Sequence, residues 1–168
     1  MEFNSKQNKK KIIIEKIHIE PKYLNSNISN IIVELLKKKY NNKCIKNCGY
    51  IISIEKLLSY NNNIISNSNP NVIFDIKYEM MILEPYVGMK LLGPIILIFE
   101  EGLLVKIRNN LKILIKKESI FNYKLTNDGC EYSDNIEMCN GDNIKIEITK
   151  MKFEKNRYTC IGKFLELM

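Results

Sequence analysis

Five cysteines, Cys44, Cys48, Cys130, Cys139 and Cys160, are the nucleophiles and soft metal ligands this chain offers, and His18 is its single imidazole. A structural zinc site needs close ligand pairs supplied twice. Cys44 and Cys48 stand four apart and Cys130 and Cys139 nine apart, so the spacing is wrong for one. A cysteine nucleophile needs an adjacent base, and His18 lies in an early strand-like segment as the one imidazole available. Glu100 and Glu101 are neighbours that point apart on a strand or enter a turn, whereas paired acid–base carboxylates must converge. Gly88, Gly93 and Gly102 are spaced five and nine apart among strand-like residues, which fits neither phosphate-cradling glycine pattern. No nucleophile elbow or zinc-protease motif is present. The residues predict no catalytic group, no metal and no cofactor.

A binding surface is the chemistry that remains. Lys106 and Arg108 alternate with Val105 and Ile107 on one predicted strand, with Lys112 and Lys116 close behind. Lys150, Lys152, Lys155 and Arg157 flank a predicted turn at 154–156, with Phe153 and Tyr158 beside it. Cations attract phosphates and exposed rings offer stacking platforms, a combination suited to single-stranded nucleic acid. Lys106, Arg108, Lys152, Lys155, Arg157 and Tyr158 are therefore the candidate RNA-binding residues. The composition tempers this. The 168 residues include 29 Ile, 24 Lys and 22 Asn, no Ala and only two Arg. That bias follows A/T-rich codons, so lysine abundance is a weaker sign of nucleic acid than usual. Residues 86–168 carry 13 basic and 11 acidic residues, so any basic patch there must be local.

These residues need elements to hold them. Residues 1–11 read as a basic flexible tail, with no secretory signal. Lys11 to Ile19 reads as a strand ended by Pro21. Ile28, Ile31, Ile32, Leu35 and Leu36 form one apolar stripe at helical spacing, so 28–40 is predicted to be a helix. Ser26 or Asn27 is placed to cap it, and Lys37–Lys39 suit its C-terminal dipole. Cys44 to Leu57 reads as a strand containing Gly49, and 61–71 as an Asn-rich break. Val72 to Ile82 alternates apolar and polar, the mark of a half-buried strand. After Pro85 come three strands (88–99, 102–108, 111–117), a polar acidic connection over 121–141, and two more strands. The predicted fold is α+β: an N-terminal small sheet with one amphipathic helix, then a five-stranded OB-type β-barrel. The domain boundaries fall at 12–85 and 86–168. No apolar run approaches the ~18–20 residues of a membrane span.

The order of these features resembles one family, the larger stalk subunit of multisubunit DNA-dependent RNA polymerases, known as subunit seven of RNA polymerase II and found also in the archaeal enzyme. The resemblance runs over about residues 12–168. It rests on Ile19-Glu20-Pro21-Lys22-Tyr23-Leu24 after the first strand, the helix behind it, Cys48-Gly49-Tyr50-Ile51-Ile52, and Pro85-Tyr86-Val87-Gly88 at the junction. Gly102-Leu103-Leu104-Val105 and the closing strands from Gly141 to Gly162 complete it. The sequence departs from the family at Asn109-Asn110, at Leu103-Leu104 and over 61–70. The resemblance implies a non-catalytic stalk subunit, docked on the RNA polymerase core subunits by its N-terminal domain and contacting nascent single-stranded RNA through its barrel. Ile64 and Ile65, two apolar residues in a polar stretch, are the candidate docking residues. Cellular relatives pair with a helical subunit four; a viral version leaves that partner open. The A/T-rich coding points to a large DNA virus or a unicellular eukaryote. The expected location is intracellular: host cytoplasm and virion if viral, nucleus if cellular. The alternative is a free-standing OB-fold RNA-binding or translation factor.

Overall fold

The computed structural model describes residues 7–24, 27–65, 70–108, 111–120, 124–125, 131–133 and 136–168. In chain order these form β1 (Asn8–Ile19), α1 (Ile28–Tyr40), β2 (Cys44–Ile45), β3 (Gly49–Ile65), β4 (Val72–Leu83), β5 (Lys90–Phe99), β6 (Gly102–Arg108), β7 (Leu111–Lys116), β8 (Lys124–Leu125), β9 (Glu131–Ser133), β10 (Ile136–Met138), β11 (Asn143–Glu154) and β12 (Arg157–Leu167). The contacts divide into two compact units. The first is Asn8–Lys43 with Cys48–Leu83; the second includes Cys44–Asn47 and Glu84–Met168.

In the first unit three long antiparallel strands lie in the order β1-β4-β3, with β4 central. The alternation along β4 decides which face is dry: Val72, Phe74, Ile76, Tyr78, Met80 and Ile82 are all buried, with Asp75, Lys77 and Glu79 between them. Helix α1 matches its expected span. It buries Ile32 and Leu36, each worth about 1.5–3 kcal/mol, and leaves Leu35 exposed at the edge of the stripe. Asn27 is the N-cap residue, but its Oδ1 accepts from Asn30 Nδ2 (2.8 Å) instead of bonding a backbone N–H; Ser26 lies outside the described residues.

Helix and sheet are joined by one carboxylate. Glu15 Oε2 accepts from Tyr40 Oη (2.7 Å) and Lys39 Nζ (2.9 Å), and Oε1 accepts from Tyr78 Oη (2.9 Å). The two rings stack with centroids 6.4 Å apart. Burial, and then the Glu15 charge, push the Tyr78 phenol well above its ordinary range.

Two expectations change here. Strand β1 begins at Asn8, paired with Leu83, so Asn8–Lys11 belong to the sheet and not to a tail; residues 1–6 lie outside the description. Strand β3 runs on to Ile65 instead of breaking near Asn61, with Ile64 opposite Ile73 and Ile65 opposite Val72. Hydrogen bonding to β4 overrides the poor strand propensity of the asparagines, at the cost of four register irregularities along β3. Gly49 opens that strand after a turn, with φ 101°, and does not interrupt it.

The second unit holds a closed barrel in the order β11-β12-β7-β6-β5, with β5 returning to β11. Every pairing is antiparallel except β12 with β7. Numbered within the barrel, the circuit is 1-2-3-5-4, the OB arrangement. Alternate residues fill its interior, among them Leu91, Ile95, Leu103, Val105, Ile113, Ile115, Ile144, Ile146 and Ile148. The stretch expected to be a plain connection carries a small antiparallel sheet, β10-β9-β8. No helix is long and apolar enough to cross a membrane among the described residues.

Candidate nucleic-acid interface

Strands β6, β7 and β12 build a shallow groove on the barrel's outer wall. It is lined by Leu104, Lys112, Leu114, Arg157, Tyr158, Thr159 and Cys160. Leu104 and Leu114 pair across β6 and β7 and give the groove its apolar floor. Lys112 and Arg157 are exposed and supply positive charge. The adjacent hairpin is closed by Lys155 and Asn156, both left-handed at φ 48° and 57°, the backbone of a two-residue turn that matches strand twist.

The candidate cations do not form one patch. Arg157 faces Lys112, whereas Lys106 and Arg108 line a different groove with Gly93, Pro94 and Asn143. Lys152 lies on the exposed hairpin arm and pairs with Glu154, which offsets its charge. Lys155 sits in the exposed turn. A third basic groove gathers Lys116, Lys150 and Lys163 with Glu118 and Thr149. Lys163 is absent from the sequence-based candidates, although it has the same outward parity as Arg157 on β12.

Tyr158 is a correction. It is 9% exposed, meets Phe153 edge-on at 4.9 Å, and its hydroxyl donates to the Ile45 carbonyl at 3.4 Å. A ring so enclosed offers no face to a base. Ile64 and Ile65 lie in strand β3 and not in a turn; their side chains lie outside the description.

The cysteines are set for packing. Cys44, Cys48 and Cys160 are buried and free, and Cys139 is half-buried; Cys130 lies outside the described residues. Burial, helped by the neighbouring Cys44, pushes the Cys160 thiol up to about 11, the reverse of an activated nucleophile. At pH 8, iodoacetamide should modify Cys160 on the order of a hundredfold more slowly than a freely exposed thiol; mass spectrometry of timed digests reads this, and equal rates would refute it. The sign for stability follows. The folded thiol ionises later than the unfolded one, so its contribution is complete below pH 9.0 and is lost as pH rises toward about 11. Among the described residues no group of three or more His, Cys, Asp or Glu could hold a metal ion.

Comparison with known proteins gives the frame for this groove. Residues 14–70 match the family described as "SHS2 domain found in N terminus of Rpb7p/Rpc25p/MJ0397". The chain is also 30% identical over 105 residues to DNA-directed RNA polymerase III subunit rpc8 of Schizosaccharomyces pombe, covering 62% of this chain and 52% of the relative. It thus spans about half the length of the curated relative it matches. The matched segment lies within the sheet-and-helix unit and ends before its central strand β4, and the barrel that follows has the OB strand order expected from the resemblance. Over its N-terminal part the chain is therefore similar to Rpb7-type RNA polymerase subunits.

Proposed function

We propose that this chain is a non-catalytic stalk subunit of a DNA-dependent RNA polymerase. Its N-terminal unit docks on the core, with Ile64 and Ile65 at the far end of the β3–β4 hairpin as the docking element. Its barrel contacts nascent single-stranded RNA. The observation that carries the reading is the SHS2 match over 14–70, joined in one chain to an OB-ordered barrel. A tagged full-length chain should bring down two very large polymerase subunits from the cells that make it. Recovery of ribosomes or free RNA alone would defeat the reading in favour of a free-standing RNA-binding factor.

The RNA contact is assigned to the Lys112–Arg157 groove. Its cations neutralise phosphates and its leucines exclude water, and Tyr158, though it lines the groove, is too enclosed to stack on a base. Binding should be weak and sequence-tolerant, because phosphate contacts carry no base information. Lys112→Ala with Arg157→Ala should weaken all single strands alike. Since each phosphate contributes about −0.7 to the slope of log K against log salt, the slope should flatten by about 1.4. Fluorescence anisotropy with oligo-U and mixed-sequence RNA over a salt series measures both. An unchanged slope would remove the groove from RNA contact.

A further inference from the structure

We propose that the groove between the start of β5 and the end of β6 is a separate oxyanion site that takes a phosphate group. Gly93, Pro94, Lys106, Arg108, Gly141 and Asn143 are among its lining residues, around a space of about 600 Å³. Arg108 Nε is buried there and has no hydrogen-bond acceptor among the described residues. A buried cationic N–H without an acceptor is costly, and a bound anion removes the cost.

The surroundings withhold the protein's own acceptors. The nearby carbonyls of Ile95 and Asp142 already accept from Gly141 N–H and Ile95 N–H, at 2.8 Å each. The Asp142 carboxylate is turned to the Cys139 N–H at 2.7 Å. Pro94 has no N–H and its neighbour Gly93 is bare backbone. A Cβ on Gly93 would lie 2.5 Å from the Lys106 carbonyl oxygen, 2.9 Å from Ile107 Cδ1 and 3.1 Å from Val105 Cγ1, so β5 and β6 approach closely there. Lys106 and Arg108 share the outer face of β6 two residues apart. No acidic side chain is among the described lining residues, which also include Met168, so the charged side chains of the groove are two cations. That charge favours a phosphate, which carries more negative charge than a single carboxylate, and the guanidinium fork suits its oxygens.

Two sources share this chemistry, a free inorganic or nucleotide phosphate and a phosphodiester strand. The test follows the Arg108 Nε–Hε resonance of the full chain by ¹⁵N-edited NMR during titration with pyrophosphate, with sodium chloride at matched ionic strength as control. The expected result is a saturable shift absent with chloride, and affinity at least tenfold weaker in Arg108→Lys, which keeps the charge and loses the fork. A linear, chloride-like response overturns the proposal, as does Arg108→Lys titrating like the wild type. If that variant does not fold, the wild-type titration decides alone. Displacement of pyrophosphate by a short single-stranded RNA assigns the strand as source, and retention of pyrophosphate assigns the free anion; either supports the site. Saturation by a glutamate-rich peptide but not by pyrophosphate overturns it. The Lys112→Ala, Arg157→Ala protein should titrate unchanged, which separates this site from the RNA contact proposed above.

Discussion

Gly102→Ala is expected to destabilise the second unit by about 3 kcal/mol, the upper range for overpacking a filled interior. A Cβ at Gly102 would sit 2.1 Å from the Ile115 carbonyl oxygen, 3.1 Å from its carbon and 3.2 Å from Lys116 Cα. These are backbone atoms of the paired strand, with Gly102 directly opposite Lys116. No rotamer can relieve the clash, so β6 and β7 must separate where the Lys117 N–H also bonds the Glu101 carbonyl at 2.9 Å. Gly88 supplies the control. It has φ +92°, and a methyl group there would find nothing within 4 Å, so alanine meets only backbone strain of about 1–2 kcal/mol. Denaturant unfolding followed by far-UV circular dichroism compares the two. A Gly102→Ala loss no larger than that of Gly88→Ala would contradict the clash argument.

Glu15→Ala should cost the first unit about 3 kcal/mol, because it removes one acceptor shared by three donors. The most affected is Tyr78, only 1% exposed, whose hydroxyl is left without Glu15 in a site that excludes water. Tyr40 and Lys39 lose their tether at the end of α1, so the helix should fray from its C-terminus. Glu15→Gln keeps an acceptor oxygen without the charge and should recover roughly half of the loss, since bonds to charged groups are about twice as strong as neutral ones. Hydrogen exchange of the α1 amides distinguishes local fraying from global unfolding. Equal protection in Glu15→Ala and wild type would show that apolar packing of Ile32 and Leu36 alone holds the helix.

Much of this architecture is legible in the sequence because its cause is local. The α1 stripe and the β4 alternation are repeated signals, each enforced by one dry face. Strand β3 is not legible beyond Tyr60 because its asparagines carry turn propensity, while the force that keeps them extended comes from β4 across the hairpin. The Glu15 network is invisible for a related reason: Tyr78 lies 63 positions away, and neither residue is unusual in its own segment. The cation patch fails differently. Strand parity tells which side chains point outward, but not where around a closed barrel each strand falls, so it groups Lys106 with Arg157 although they line different grooves. The burial of Tyr158, by contrast, is within reach of parity. It shares parity with Cys160 and Gly162, which are buried, whereas Arg157 and Thr159 are exposed.

The second unit has a seam in time. Cys44–Asn47 is made long before Glu84–Met168, and Ile45 is 113 positions ahead of the tyrosine that donates to it. At ribosomal speeds of about 5–20 residues per second, that interval is on the order of ten seconds. During it the Ile45 carbonyl and the Cys44 thiol wait without the strand that will enclose them. The barrel unit therefore reaches its final contacts only as the last strand leaves the ribosome. A fragment beginning at Glu84 would never reach them, because Cys44–Asn47 is encoded on the other side of the cut.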